Sequence, residues 1–229
     1  MRISGGIALF LALSSVAFAD EPIVEPSVLI DDYVAASTAQ EARFEGASME
    51  VDIVAEVPKL HKTARLHALR RISAFGSRIT YDALRFEGDH GIKDDVIARY
   101  LTAESEALKS ERATTAVNPV NYKFKYSGLM VRDGRKVYAF RVTPRKKRLG
   151  LFVGELWLDP QTHLAVREAG RLVKNPSMFV RRIDFIRDFR IEDGVAIPTR
   201  LESSVDTMLV GKANVSVEYS SVSLAGGDN

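Results

Sequence analysis

The chain has 229 residues, of which 46% are hydrophobic and 27% are charged, and its formal net charge is +2. This is the composition of an ordinary globular protein with a sizeable core, and so balanced a charge predicts no nucleic-acid partner, which would require a strongly basic face. Because the chain contains no cysteine, disulfides and lipid attachment through an N-terminal cysteine are excluded.

The first residues predict export. Arg2 is followed by an apolar run from Ile7 to Leu13 and then by Ala17-Phe18-Ala19, the small-residue pattern of a signal-peptide cleavage site. The apolar run is too short to span a bilayer core of about 30 Å. We therefore expect cleavage after Ala19, a periplasmic location and a single domain over residues 20–229.

Helical periodicity occurs in two stretches. Apolar residues recur every three or four positions from Ser27, a suitable N-cap, to about Gln40, and again from Asp94 or Asp95 to about Ser110. Each stretch has one apolar face and one polar face. We expect two amphipathic helices that lie against a sheet.

Most of the remaining chain alternates between apolar and polar residues, the pattern of strands with one dry and one wet face. Turn sequences separate the segments, and Asp159-Pro160-Gln161-Thr162 is the clearest of them. The order of one helix, three strands, one helix and seven strands predicts an α+β, mainly β fold: a curved antiparallel sheet of about ten strands covered by the two helices. The predicted strands are Ala47–Val57, Lys62–Ala74, Arg78–Glu87, Val120–Met130, Lys136–Thr143, Leu149–Leu158, one between Thr162 and Asn175, Met178–Ile191, Val195–Leu209 and Ala213–Leu224.

Three pieces of this pattern carry a family resemblance: Leu156-Trp157-Leu158-Asp159-Pro160-Gln161-Thr162, the segment Phe185 to Phe189, and Gly194-Val195-Ala196-Ile197-Pro198. With the order of elements, they resemble the LolA/LolB-like outer-membrane lipoprotein-sorting superfamily, which includes RseB-like domains. The match covers essentially the whole mature chain, although its motifs mostly encode turns. The superfamily's latch arginine and the protruding loop of its membrane-docked member have no assigned counterpart in this sequence.

The resemblance implies an unclosed β-barrel whose helices cover a hydrophobic cavity for the acyl chains of lipids or lipoproteins. It implies no enzymatic activity. The function expected on this basis is that of a periplasmic carrier, and the alternative is an RseB-like envelope sensor or interaction module that docks a protein partner.

Two arginines interrupt an apolar strand face. Within Met178–Ile191, the face that carries Phe179, Phe185 and other apolar residues also carries Arg181 and Arg187. An unpaired guanidinium is costly to bury. Two interpretations stay open: contact with the phosphate or carboxylate of a lipid, or pairing with an internal carboxylate or water at the rim.

Aromatic and aliphatic residues of several strands are available to line the implied cavity, although a solid core would use the same residues. The predicted ligand-binding residues are Tyr33, Val51, Ile53, Tyr126, Phe140, Trp157, Arg181, Phe185 and Arg187.

Other candidate chemistry is sparse. Asp89-His90, near Asp94 and Asp95, is the best acid-base or cation-binding cluster, and an exported hydrolase using it is the remaining enzymatic alternative. Zinc-protease, phosphate-loop and nucleophile-elbow motifs do not occur, so the sequence predicts no metal, cofactor or catalytic residue. The basic run Arg145-Lys146-Lys147-Arg148 predicts either a solvated hairpin tip or, at most, peripheral contact with anionic headgroups.

Overall fold

The computed structural model describes residues 25–74, 78–109, 112–176, 178–208 and 211–224. The predicted signal peptide with its cleavage site, and the tail from Ala225, which was expected to be disordered, lie outside the described residues. The helical elements are α1 (Pro26–Glu41), α2, which consists of the turn His90–Ile92, the π-helical turn Lys93–Ile97 and the regular helix Ala98–Lys109, and the short α3 (Arg112–Thr115). None of the described helices is both long and apolar enough to cross a membrane.

In the described part of the chain, ten strands form one sheet. They are β1 (Ser48–Val57), β2 (Lys62–Ile72), β3 (Ile79–Gly88), β4 (Tyr122–Arg132), β5 (Arg135–Pro144), β6 (Phe152–Leu158), β7 (Ala165–Leu172), β8 (Val180–Glu192), β9 (Val195–Thr207) and β10 (Lys212–Ser223).

The sheet is antiparallel throughout, in the order β3-β2-β1-β10-β9-β8-β7-β6-β5-β4. Within the described residues, β3 and β4 do not pair with each other, so the sheet is not closed into a barrel. The predicted fold class, a mainly β protein with about ten antiparallel strands and two covering helices, is confirmed.

Both helices begin differently from the prediction. At α1, Glu25 occupies the N-cap position without a side-chain cap and Pro26 opens the helix, where its missing N–H costs nothing. At α2, the helix begins at His90, four or five residues before the predicted start, because Asp89 caps it: Asp89 Oδ1 accepts a hydrogen bond from the Ile92 N–H at 3.0 Å. Asp94 and Asp95 therefore lie inside α2 rather than at its start.

The two helices cover different halves of one sheet face, here called the inner face. α1 packs with Leu29 and Tyr33 against β4 to β7, in a cluster that includes Tyr122, Phe140 and Leu156. Ile30 and Val34 pack against the same cluster, as predicted, but around α1 as a whole the apolar and polar residues are scarcely separated, so this helix is less amphipathic than predicted.

α2 packs with Ile92 and Ile97 against β1, β2 and β10, in a second cluster that includes Val51 and Ile53. These residues, like the core residues of the first cluster, are almost completely buried. Within the described residues, the sheet therefore has a separate apolar cluster under each of the two helices, and a smaller third cluster around Ala47, Ile72 and Ile79.

Gly154 of β6 and Gly170 of β7 face each other where the backbones of these strands come unusually close. A Cβ on Gly154 would lie 2.0 Å from the Ala169 carbonyl oxygen, and one on Gly170 would lie 2.4 Å from the Val153 carbonyl oxygen. Only glycine fits at such an approach.

The turn from β6 to β7 is held by a single carboxylate. Asp159 Oδ1 accepts hydrogen bonds from the Gln161 N–H at 3.0 Å, the Thr162 N–H at 2.8 Å and the Thr162 hydroxyl at 2.9 Å. The Asp-Pro-x-Thr sequence therefore forms the turn that its residues predict.

Replacing Asp159 with alanine is expected to lower the free energy of unfolding by about 1 to 2 kcal/mol, because three donors lose their acceptor. The measurement is urea unfolding followed by circular dichroism. Gln161→Ala, which keeps the backbone donor of the same turn, is the matched control and should change stability by less than about 0.5 kcal/mol. Equal effects of the two substitutions would contradict this account of the turn.

Candidate functional site

The middle of the inner face lies between the two apolar clusters. Phe185 of β8 packs against both of them, and its ring meets that of Phe152 edge-on, with centroids 5.0 Å apart. In the part of the chain that the structure describes, α1 and α2 make no extended contact with each other. The two helices therefore cover separate areas of the inner face. The region around Phe185 that joins these two areas is here called the strip.

Arg187 lies two residues beyond Phe185 on the same face. Its Nη1 donates a hydrogen bond to Glu168 Oε2 at 3.1 Å, and its guanidinium carbon lies 5.9 Å from the centre of the Phe185 ring. The strand register explains the pair, because Glu168 of β7 is directly opposite Arg187. The Glu168 side chain is 12% exposed and that of Arg187 is 45% exposed, so the pair leads from the interior to solvent.

Charges and hydroxyls from both halves surround this pair. The protein atoms packed around the half-exposed guanidinium of Arg187 partly desolvate it and oppose its charged form, but the carboxylate of Glu168 holds its pKa above the ordinary value. On the α1 side, burial and the negative charge of Glu168 raise the pKa of the Tyr33 phenol well above its usual range. Tyr33 is therefore neutral and can supply a hydrogen bond but no charge.

The α2 side carries a polar network of its own. Arg70 of β2 donates to Glu104 Oε1 from Nη2 at 2.9 Å and from Nε at 3.1 Å, and the Tyr81 hydroxyl donates to Glu104 Oε2. Tyr100 and Tyr219 lie near each other beside this network, and burial raises the pKa of Tyr100 well above its usual range. The network fastens α2 to the sheet by charge-assisted hydrogen bonds as well as by apolar packing.

The structure divides the predicted ligand-binding residues between the two clusters. Tyr33, Tyr126 and Phe140 belong to the α1 cluster, where the rings of Tyr126 and Phe140 lie 5.2 Å apart. Val51 and Ile53 are completely covered beneath α2. Of the predicted residues, Phe185 and Arg187 occupy the strip between the clusters. Whether any of these residues binds a ligand stays a prediction.

Trp157 and Arg181 are not brought together with them. Trp157 alternates with the inward-facing Leu156 and Leu158 and lies on the outer face, where its indole N–H donates to Glu155 and its ring is 4.7 Å from the guanidinium carbon of Arg167. A bulge between Val180 and Arg182 breaks the alternation of β8, so Arg181 does not continue the face of Phe185, and it is exposed. The outer face also carries a groove of ≈390 Å³ beside Ile186 and another of ≈310 Å³ beside Trp157.

The residues of the predicted acid-base cluster make contacts that stabilise α2 and its surroundings. Asp89 caps α2 and forms an ion pair with Lys62 at 2.9 Å, while His90 packs on the Phe86 ring with centroids 5.0 Å apart. Asp95 pairs with Arg99 one turn along the helix, at 3.3 Å. Among the described residues, no three His, Cys, Asp or Glu side chains lie close enough together to hold a metal ion.

Sequence reasoning missed Glu168, Glu104 and Tyr219. Each follows from long-range register or helix docking: Glu168 becomes the partner of Arg187 only when β7 and β8 pair as they do. Glu104 reads as one more charged residue on a solvated helix face, yet it contacts Arg70, 34 positions away. The useful signal was the cation on an apolar face, for which pairing with an internal carboxylate was one of the interpretations left open.

No model of a known protein family matches this sequence, and no curated protein matches it. Among solved structures, the chain is similar to a DUF1329 family protein from Desulfovibrio piger, with 13% identity over 89% of this chain and 94% of that chain and a TM-score of 0.48. It is also similar to the LolA superfamily protein NE2245 from Nitrosomonas europaea, with 12% identity over 90% and 96% of the two chains and a TM-score of 0.42.

A third similar structure is the MucA/MucB complex from Pseudomonas aeruginosa, with 15% identity over 83% of this chain and 93% of that chain and a TM-score of 0.29. At these identities the likeness concerns the fold alone. The Nitrosomonas structure is described as a member of the superfamily that the strand and turn pattern of this sequence resembles.

Proposed function

We propose that this chain is an exported, periplasmic, non-enzymatic carrier that holds the acyl chains of a lipid or lipoprotein on its inner face. The observation that carries the proposal is the strip between the helices, where Phe185 joins two apolar clusters and the neighbouring Arg187 is open to solvent. An acyl chain gains about 0.8 kcal/mol per CH₂ on leaving water, so even a partial insertion is favourable.

The geometry suits an amphipathic ligand. Apolar side chains of both clusters flank Phe185, and they offer a path for the acyl chain under either helix once that helix moves outward. Arg187 stands at the solvent end of the strip with one hydrogen bond to Glu168, and its other N–H donors are available to a phosphate or carboxylate. The buried tyrosines are neutral, so their hydroxyls hydrogen-bond without repelling an anion.

Phe185→Asp is expected to weaken the binding of a dansyl-labelled fatty acid by roughly tenfold or more, because it places a charge on the apolar strip. The measurement is fluorescence titration of the purified mature protein. Ile186→Asp is the matched control: it makes the same chemical change one residue away, on the outer face, where the side chain is 38% exposed.

The proposal fails if the wild-type protein does not bind the probe, or if the two aspartate variants bind it equally well. Thermal unfolding of both variants separates loss of binding from loss of fold. Lipid extraction with native mass spectrometry of the exported protein is the second measurement. Protein free of lipid and unable to bind the probe would instead favour a protein-interaction module, the sensor alternative.

A further inference from the structure

Positive charge is concentrated in one part of the chain. Residues 119–151 contain ten Lys and Arg residues against one acidic residue, Asp133, although the whole chain has a net charge of only +2. The rest of the protein is therefore net acidic. This segment forms β4, β5 and the loop that leads to β6, and β4 is an edge strand of the sheet.

The outer face of this edge is a cationic ridge. Lys125 of β4 lies directly opposite Arg141 of β5, on the face away from Tyr126 and Phe140. Arg141 also has Glu155 of β6 opposite it on its other side, whereas Lys125, on the edge strand, has only the like charge of Arg141 as its cross-strand neighbour, so an anion over this edge would relieve the repulsion. Among the described residues, neither Lys125 nor Arg141 forms an ion pair. The ridge comprises Lys123, Lys125, Arg141, Lys146, Lys147 and Arg148, all of which are exposed.

The loop that extends the ridge is held rigidly. The Arg145 N–H donates to the Asn121 carbonyl at 2.7 Å, and its Nε donates to the carbonyls of Pro119 at 2.8 Å and Tyr122 at 3.2 Å. Arg145 is thus used to fix the loop, whereas Lys146, Lys147 and Arg148 project from it. Cations on a fixed turn lose less conformational freedom on binding than cations on a flexible tail.

Aliphatic side chains stand exposed beside these cations. Val120 is 79% exposed and precedes β4 next to the carbonyls that hold Arg145, and Leu149, directly after Arg148, is 51% exposed. Exposed aliphatic groups among cations are the pattern of proteins that bind the interface of an anionic bilayer, where charge attracts the headgroups and the aliphatic groups enter the acyl boundary. Single exposed aliphatic side chains also occur elsewhere on this surface, but Val120 and Leu149 stand beside a cluster of cations.

We propose that the cationic ridge, with Val120 and Leu149, docks this protein on the surface of a membrane that contains anionic phospholipids. The docking is peripheral and reversible, and it uses a surface separate from the strip at Phe185. It does not rest on the proposed carrier function, since vesicle binding and fatty-acid binding are measured independently.

The test is flotation of the mature protein with phosphatidylcholine vesicles, with and without a third of the lipid as phosphatidylglycerol, at low and at physiological ionic strength. We expect binding to the anionic vesicles alone, weakened by salt. Replacing Lys146, Lys147 and Arg148 together by alanine should lower the affinity on the order of 100-fold, because each cation near an anionic surface contributes about fivefold.

The matched control removes three positive charges from the other end of the sheet, near β1 to β3. Replacing the exposed residues Lys59, Arg65 and Arg85 together by alanine should lower the affinity by less than about fivefold. Equal losses in the two triple variants would show that net charge alone decides binding and would overturn the proposal. Failure of the wild-type protein to bind anionic vesicles would overturn it as well, and would favour an acidic protein partner for the ridge.

A spectroscopic variant tests the position of Leu149 directly. Because Trp157 is the only tryptophan of the chain, Trp157→Phe combined with Leu149→Trp gives a single reporter in the docking loop. Its emission should shift to shorter wavelength on anionic vesicles and be quenched by brominated acyl chains. Binding without any shift or quenching would show that this residue does not enter the bilayer. The contact would then be purely electrostatic, which contradicts the proposal.

Discussion

Replacing Arg70 with alanine is expected to lower the free energy of unfolding by about 3 kcal/mol, because removing one partner of a buried ion pair leaves the other charge uncompensated. The side chains of Arg70 and Glu104 are only 11% and 21% exposed, and the Tyr81 hydroxyl also depends on Glu104. The measurement is urea unfolding. Hydrogen exchange of the α2 amides should accelerate at the same time, since the network joins this helix to β2 and β3.

Arg71→Ala is the matched control for this prediction. Arg71 is the next residue of β2 and has an ion pair with Asp82 at 2.8 Å, but both side chains are more than half exposed. Exposed pairs contribute about 0 to 1 kcal/mol, so this variant should be nearly as stable as the wild type. A comparable loss in both variants would refute the role of burial.

Replacing the whole network with apolar residues should restore stability. The triple variant Arg70→Met, Tyr81→Phe and Glu104→Leu should regain most of the stability that Arg70→Ala loses, because no buried polar group is left without a partner.

Gly154→Ala is expected to lower the free energy of unfolding by about 3 kcal/mol or more, since the new methyl group would lie 2.0 Å from the Ala169 carbonyl oxygen and 2.6 Å from the Gly170 Cα. Neither contact involves a flexible side chain that can turn away. Strands β6 and β7 would have to separate, and the Phe152 ring, which lies over Gly170, would move with them. Urea unfolding measures the loss.

Gly194→Ala is the matched control, because it introduces backbone strain without a steric clash. Gly194 has a φ of +72° and no atom within 4 Å of a new Cβ, so alanine there meets only the strain of the left-handed conformation, about 1 to 2 kcal/mol. We expect Gly154→Ala to be clearly the more damaging. The reverse order would mean that β6 and β7 adjust to a side chain at little cost.

Periodicity was sufficient to predict most of the fold. Alternation from Ala47 to Val57 predicted β1 almost to its ends, and Asp159-Pro160-Gln161-Thr162 marked the turn between β6 and β7. These features are local, since a strand repeats every two residues and a turn needs particular φ values. The same local rules misplaced the start of α2. They predicted a start at Asp94 or Asp95, whereas the Asp89 side chain caps the helix, which begins at His90.

The candidate site was less predictable because it depends on pairings between distant residues. The bulge at Val180 and Arg182 removed Arg181 from the face that simple alternation gave it. Arg187 kept its face, but its partner Glu168 is fixed by the register of β7 against β8. Trp157 was assigned to a cavity by residue type, whereas its place in the alternation of β6 puts it outside.

The position of β1 has a consequence for how the protein reaches this fold. β1 pairs on one side with β2 and on the other with β10, the last strand of the chain, so that Ser48 meets Ser223. Seven consecutive strands, β4 to β10, can assemble by neighbour-to-neighbour hairpins, but the first three join them only after the chain is complete to β10. Until then this edge of β1 is unpaired and open to aggregation. Pairing of β1 with β10 closes a long loop, so we expect it to be a late event of folding, and truncation before β10 removes it altogether.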